Sequence, residues 1–385
     1  MPQNYQRLPL AIVYQEKAAF KDTYAGAEDI VFLEAHYLKP EKPITETILV
    51  FMHPAGAGGA YLPMPTALAR KGIPVVYCNS RYRGVDSGLI MENVVLDLGA
   101  CIKEVKEKLG HEKVVLAGWS GGGSLSLYYQ SQAENPTVTS TPAGDPPNLK
   151  EANLTKCDGL MLLAAHCSRA TTLTEWLDPS INDEDNPDER DIEFNLYDPS
   201  NPNQPPYDQD YIIAYREKQI ERNRKITNWA LEKLASFKGD STKEFGFTVH
   251  GTMADPRWLD PQIEPNDRKP GWCYLGDPKV VNDSPIGLSR YSSIRSWLSQ
   301  FSYDLSEADG EKCGSNITVP TLVIGNSADD ACPSSHTQRL FDSITHEHKK
   351  MHIVKGANHY YFGQKEELSQ ATQVCVDWLS SEGLL

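Results

Sequence analysis

The sequence predicts an α/β fold, a mostly parallel sheet with helices on both faces, interrupted by a large inserted domain. Short apolar runs of strand length alternate with amphipathic stretches of helical length, as in parallel sheets buried on both faces. The alternation stops after His166 and resumes near residue 316, an interruption far longer than the about 12 to 15 residues of most structureless loops. We therefore expect residues 1–166 and 316–385 to form the core and residues 167–315 to form a cap (lid) domain.

The predicted elements follow one another regularly along the chain. Before the cap, strands are expected at 30–37, 47–52, 73–78, 113–117 and 159–165, and helices at 62–71, 92–109 and 121–132. Residues 133–155, rich in Pro, Asn, Thr and Gly, are expected to form a surface loop. The clearest element of the cap is a helix over 211–237, after which strands at 319–324 and 351–354 alternate with helices at 334–343 and 365–379.

Composition and charge exclude several classes of partner. The 385 residues are 40% hydrophobic and 23% charged, which is typical of a globular chain. The formal net charge of −15 disfavours binding to nucleic acid or to anionic lipid. No stretch approaches the roughly 18 to 20 apolar residues of a membrane helix, and residues 1–7 lack a secretion pattern, so a cytoplasmic protein is expected. The eight cysteines show no CxxC spacing, so we expect neither a disulfide framework nor a zinc site.

A serine lies in a tight turn between a predicted strand and a predicted helix. Gly118, Ser120 and Gly122 fit the pattern G-x-S-x-G, in which the glycines let strand and helix approach without Cβ clashes. Such a turn presents the hydroxyl at the carboxyl end of the sheet, and the helix N-terminus directs amide groups toward developing negative charge. A simple turn of small residues is the alternative, but the flanking strand and helix favour a nucleophile.

A serine hydroxyl needs a neighbouring base before it is a good nucleophile. His359 follows the strand at 351–354, and its near-neutral intrinsic pKa suits proton transfer. Asp329 follows the strand at 319–324 and is the candidate for the acid that orients this histidine, with Asp330 as the alternative. An acidic turn that caps the next helix is the other interpretation of either aspartate.

The loop after the strand at 47–52 is rich in small residues, so its backbone can approach a carbonyl oxygen. Because Pro54 has no N–H, the candidate oxyanion donors are Ala55 and Gly56, together with Gly121 after the nucleophile. A simple Gly-rich turn is the alternative. The candidate substrate-binding residues are His53, Trp119, His166, Trp176 and Tyr211.

Through these motifs the chain resembles the α/β-hydrolase superfamily. The resemblance is carried by residues 53–59, 118–122, 325–333 and 356–359, in the order of the superfamily, and does not extend to the cap. It implies an eight-stranded, mostly parallel sheet and a Ser-Asp-His triad. Two departures concern the oxyanion loop: Pro54 stands where Gly is usual, and the lipase-type His-Gly-Gly-Gly run is absent. Ser120, in the turn between strand and helix, argues against haloalkane dehalogenases and epoxide hydrolases, which carry Asp at this position.

The predicted activity is hydrolysis of a carboxylic ester or lactone of a bulky hydrophobic small molecule through an acyl-enzyme on Ser120. No metal or other cofactor is expected. The aromatic residues of the cap, which include five of the seven Trp, are expected either to wall an apolar pocket or to form the core of the cap. Acyltransferases, thioesterases, C–C bond hydrolases and a non-catalytic ligand-binding protein remain open. The acidic run at 183–191 and the histidines His346, His348 and His352 lack metal-site patterns.

Overall fold

The computed structural model describes residues 3–16 and 29–385, so residues 1–2 and 17–28 of the predicted core segment lie outside the described part. The strands that precede the cap are β1 (Tyr5–Gln15), β2 (Ile30–Pro40), β3 (Ile48–Phe51), β4 (Val75–Cys78), β5 (Val114–Trp119) and β6 (Gly159–Leu163). The helices among them are α1 (Pro63–Arg70), α2 (Met91–Glu107) and α3 (Gly121–Glu134).

The second part of the chain holds the remaining elements. Residues 167–315 contain α4 (Arg169–Trp176), α5 (Gln209–Ser236), β7 (Gly246–Thr248), α6 (Pro278–Asp283), β8 (Tyr291–Ser293), α7 (Ile294–Ser296), a π-helical turn (Trp297–Phe301) and α8 (Gly310–Gly314). The chain then continues with β9 (Thr321–Asn326), α9 (Ser334–Ser343), β10 (Lys349–Val354) and α10 (Lys365–Ser381). Helix α5 confirms the helix predicted at 211–237.

The core is an eight-stranded sheet in the order β1-β2-β4-β3-β5-β6-β9-β10. Strand β2 is antiparallel to both of its neighbours, β1 and β4, and every other neighbouring pair is parallel. The predicted α/β fold with a mostly parallel sheet is confirmed. In such a sheet the residues that follow the parallel strands meet at one edge, where ligands usually bind.

Helices cover both faces of the sheet. One apolar cluster joins a face of the sheet to α2, α3 and α9, and another joins the opposite face to α1 and α10. Every residue of β3, β4, β5, β6 and β9 is buried, which explains their continuous apolar sequences. Strand β1 lies at the edge of the sheet and buries only Ile12. It is absent from the sequence-based prediction, although residues 8–14 form an apolar run that includes Pro9.

The segment between β6 and β9 has apolar clusters of its own. Trp297 and Phe301 are buried against α4 and α5, and Trp258 lies in a second cluster. We refer to residues 167–315 as the cap segment, and these rings form part of its interior. Helix α8 differs from the rest of the segment because it packs against α3 and α9 of the core.

A hydrogen bond and a half-buried ion pair link the cap segment to the core. Glu175 of α4 bonds to Arg257 within the cap segment, to His336 at 2.8 Å and to Arg339 at 3.1 Å, both on α9. Burial by itself would raise the pKa of Glu175, but the neighbouring Arg257, His336 and Arg216 lower it well below its usual value. Since α9 follows the loop that carries Asp329, the cap also braces this loop.

The surface features of the prediction have structural partners. The acidic run at 183–191 pairs with the cations of α5: Glu184 with Arg222 at 2.7 Å and Asp191 with Lys218 at 3.3 Å. In the loop at 133–155, Asp145 accepts a hydrogen bond from Arg295 of the cap segment at 2.6 Å. Among the helices of the described residues, none combines the length and the apolar character needed to cross a bilayer.

Candidate active site

Ser120 lies in a strained turn between β5 and α3. Its backbone has φ 51° and ψ −121°, a conformation that L-residues rarely adopt. A Cβ atom on Gly118 would lie 2.3 Å from the carbonyl oxygen of Gly122, and one on Gly122 would lie 2.4 Å from that of Met52. Only glycine fits at these two positions, and this is why the pattern around Ser120 predicts the turn.

Asp329 and His359 form a buried pair at the same edge of the sheet. The Nδ1 atom of His359 lies 3.0 Å from both carboxylate oxygens of Asp329, and the two residues are 1% and 2% exposed, respectively. Oδ1 of Asp329 also accepts hydrogen bonds from the backbone N–H groups of Ala331, at 2.8 Å, and Cys332, at 2.7 Å. The carboxylate is therefore held against the imidazole from several sides.

Asp330 has a different setting from its neighbour. Its backbone carbonyl accepts a hydrogen bond from the N–H of Tyr274 in the cap segment at 2.8 Å. Burial and the negative charge of Asp329 raise the pKa of the Asp330 carboxyl. The carboxylate that pairs with the His359 imidazole is thus that of Asp329.

Ser120 and His359 line one cavity of about 290 Å³. The Ser120 hydroxyl is turned toward Cys332, whose Sγ lies 3.8 Å from Oγ, and it makes no hydrogen bond to His359 within the described residues. Rotation about the Cα–Cβ bond of Ser120 redirects the hydroxyl, and catalytic hydrogen bonds are commonly loose before substrate binds. Trp119 packs edge-on against the His359 ring, with 5.8 Å between ring centroids.

The loop after β3 brings His53 beside the N-terminus of α3. The Ala55 N–H donates to Nδ1 of His53 at 3.2 Å, so a neutral ring carries its proton on Nε2. Burial, together with the positive charge of Arg169, lowers the pKa of His53 to about 3 and keeps the ring neutral. A Cβ atom on Gly121 would lie 2.9 Å from Nε2 of His53 and 3.3 Å from Nε2 of His166.

The predicted oxyanion donors differ in their positions. The Gly121 N–H is in the first turn of α3, where backbone N–H groups have no acceptor within the helix. Ala55 lines the cavity, although its N–H is engaged by the His53 ring. Gly56 does not line the cavity; a Cβ there would lie 2.9 Å from Cβ of His53, so glycine allows the tight turn.

The cavity includes three of the five predicted substrate-binding residues: His53, His166 and Trp176. Trp119 supports the His359 ring from outside the cavity wall, and Tyr211 stacks on Tyr207 in a separate aromatic cluster of the cap segment. Sequence reasoning missed several lining residues, among them Asp86, Arg169, Thr172 and Tyr360, whereas Tyr274 belongs to the cap aromatics that were candidates for the pocket wall. The available signal for Arg169 and Thr172 was their place just after β6, where the carboxyl end of a strand opens onto the site.

One group of potential metal ligands occurs in the described residues: Asp329, Cys332 and His359. Burial and the charge of Asp329 raise the pKa of the Cys332 thiol well above its usual value. Because metals bind the thiolate rather than the thiol, this thiol is a poor ligand. The histidines at 346, 348 and 352 belong to no such group in the part of the chain that the structure describes.

Comparison with known proteins identifies the fold. No protein-family model and no curated protein sequence matches the chain. A carboxyl esterase from Bacillus coagulans is 12% identical and superimposes with a TM-score of 0.53, over 98% of this chain and 98% of the esterase. An alpha/beta hydrolase from Penicillium sp. sh18 is 12% identical with a TM-score of 0.51, over 97% of this chain and 99% of that one. The chain therefore has the α/β-hydrolase fold that its sequence motifs predict.

Proposed function

We propose that the protein is a serine hydrolase that cleaves a carboxylic ester or lactone of a small molecule through an acyl-enzyme on Ser120. One observation carries this proposal. His359, whose Nδ1 lies 3.0 Å from the carboxylate of Asp329, lines the same cavity as the strained Ser120. The fold shared with the Bacillus coagulans carboxyl esterase agrees with this chemistry.

The proposed mechanism follows from the tautomer of His359. A carboxylate accepts hydrogen bonds, so Asp329 holds the proton of His359 on Nδ1 and leaves Nε2 free to take the proton of Ser120. Oγ then attacks the carbonyl carbon of the substrate, and His359 returns the proton to the leaving group. Water, activated by the same histidine, releases the acyl group from Ser120.

The developing oxyanion needs donors next to Ser120. The Gly121 N–H provides one, aided by the N-terminus of α3. The loop at 53–56 provides the second, from the Ala55 N–H or from the Nε2–H of His53, both of which line the cavity.

The cavity favours a smaller substrate than the sequence suggests. Its volume of about 290 Å³ lies at the lower end of the range for small-molecule sites. Several of the cap aromatics that were candidates for an apolar pocket are instead packed inside the cap segment. We propose a small acyl or alcohol group rather than a bulky hydrophobic one.

Labelling with a fluorophosphonate probe tests the proposal directly. The parent protein is expected to be labelled on Ser120 and to hydrolyse short p-nitrophenyl esters. Ser120→Ala should lose the label and lower kcat by a factor on the order of 10⁶, with a nearly unchanged Tm. Ser124→Ala, one turn later in α3, is the matched control and should keep the label. A folded parent protein that takes no label would contradict the proposal and favour a non-catalytic binding protein.

A further inference from the structure

One part of the cavity wall is polar and buried. It consists of His166, which follows β6, and of Arg169 and Thr172 in α4. All three residues are less than one-tenth exposed. We refer to these three residues as the polar wall.

Two polar atoms of this wall have no partner. Nδ1 of His166 and Oγ1 of Thr172 are buried without a hydrogen bond in the described structure. Buried polar groups in native proteins are nearly always hydrogen-bonded, so an exception at a ligand cavity calls for an explanation. A bound ligand that supplies the missing partners is such an explanation.

The hydrogen-bonding groups of the wall indicate the kind of group that binds. Arg169 donates from Nε to Gln300 at 2.7 Å and from Nη2 to Asp86 at 2.8 Å. Asp86, which also lines the cavity, balances the charge of Arg169. The wall therefore offers hydrogen-bond donors with little net charge, and it suits an acceptor oxygen.

The wall also lies close to the proposed reaction centre. Nε2 of His166 is 3.3 Å from the position of a Cβ atom on Gly121, the residue that follows Ser120. A group bound there is separated from the scissile carbonyl by only a few bonds.

We propose that the substrate carries a second acceptor oxygen, from a carbonyl or a carboxylate group, near the bond that is cleaved, and that the polar wall binds this oxygen. Arg169 and the Thr172 hydroxyl donate to it, and His166 donates when its proton is on Nδ1. This inference rests on the proposed function for the place of the reacting carbonyl. It replaces the hydrophobic substrate expected from the sequence with one that is polar next to the reacting carbon.

Pairs of methyl esters with matched acyl length test the inference. Methyl acetoacetate is compared with methyl butyrate, and monomethyl succinate with methyl pentanoate, by acid release at constant pH. We expect kcat/KM to be at least about 10-fold higher for the ester with the second oxygen, because its absence leaves buried polar groups unpaired. The pair with the larger ratio of kcat/KM values identifies whether the oxygen belongs to a carbonyl or a carboxylate. Equal kcat/KM values within both pairs would overturn the inference.

Thr172→Val tests whether the polar wall causes the preference for esters with a second oxygen. It removes the unpartnered hydroxyl with little change in shape, so it should lower the preference about 3- to 10-fold without lowering Tm. Thr171→Val is the matched control: Thr171 is in the same helix but does not line the cavity, and the preference should persist. An unchanged preference in Thr172→Val would remove Thr172 from the site.

Binding of the esters to Ser120→Ala tests this inference independently of the proposed hydrolysis. Ligand-observed NMR titrations with the same esters should show the same preference in Kd, whether or not the parent protein turns them over. Preferential binding without any turnover or fluorophosphonate label would refute the hydrolase and leave the polar wall as a binding site. Turnover and labelling without preference would refute the polar wall alone.

Discussion

Replacing Asp329 with Asn changes one carboxylate oxygen into an NH₂ group, and the structure indicates how the new amide faces. Oδ1 of Asp329 accepts hydrogen bonds from the N–H groups of Ala331 and Cys332. In Asp329→Asn the amide oxygen keeps these two bonds, because an NH₂ group there would oppose two donors. The NH₂ group then takes the place of Oδ2, 3.0 Å from Nδ1 of His359, while Oδ1, at the same distance, is already engaged by the two backbone donors.

The consequence for His359 is a change of tautomer. Facing a donor, Nδ1 becomes an acceptor, so the proton of the neutral ring moves to Nε2. The ring then cannot take the proton of Ser120. Wrong-tautomer substitutions of this kind lower kcat by about 10⁴, or about 5.5 kcal/mol in the activation free energy.

Hydrolysis of a p-nitrophenyl ester, followed for Asp329→Asn and Asp330→Asn together, measures this effect. We expect the large loss in kcat for Asp329→Asn alone, since the imidazole of His359 is hydrogen-bonded to the carboxylate of Asp329 and not to that of Asp330. Thermal unfolding confirms that both variants are folded. Equal losses in the two variants, or a loss below about 10-fold for Asp329→Asn, would show that the tautomer argument is wrong.

Two further predictions concern Gly121, which follows Ser120, and the buried carboxyl group of Glu92. A Cβ atom in Gly121→Ala would lie 2.9 Å from Nε2 of His53 and so disturb the proposed oxyanion donors. We expect kcat to fall roughly 10²-fold, as for a lost oxyanion donor, with a nearly unchanged Tm. Full activity of Gly121→Ala would contradict this prediction. Burial raises the pKa of Glu92, in α2, from 4.5 to about 7. Its contribution to folding stability is therefore complete below pH 4.5 and is lost as the pH rises through about 7. Glu92→Gln lacks this titration. Between pH 5 and pH 8, the free energy of unfolding measured in urea should therefore fall by roughly 2 to 3 kcal/mol more in the parent protein than in Glu92→Gln. A difference independent of pH would refute the buried-acid argument.

The sequence alone indicates the fold because the signals are local. Strands buried on both faces appear as continuous apolar runs, and α5 has the length of a helix and a capping aspartate, Asp208. The glycine at 118 is readable for the same reason, since contacts within its own turn require it, whereas the glycine at 122 is required by the backbone of Met52 and is recognised only through the motif. The edge strand β1 is an exception: residues 8–14 are an apolar run, but the run contains Pro9, the strand buries a single residue, and the sequence-based prediction omits it.

The cavity depends on contacts between residues that are distant in the chain. Asp329 and Asp330 are adjacent and chemically identical, and only the folded loop, held by His359 on one side and by a backbone bond to Tyr274 on the other, decides that the carboxylate of Asp329 meets the imidazole. Arg169 becomes a buried positive charge because Asp86 and Gln300 converge on it. No periodic pattern encodes such convergence, since each of these residues belongs to a different segment with its own local signal. The sequence therefore determines the sheet and the order of the candidate catalytic residues, whereas the shape and charge of the cavity arise from long-range packing.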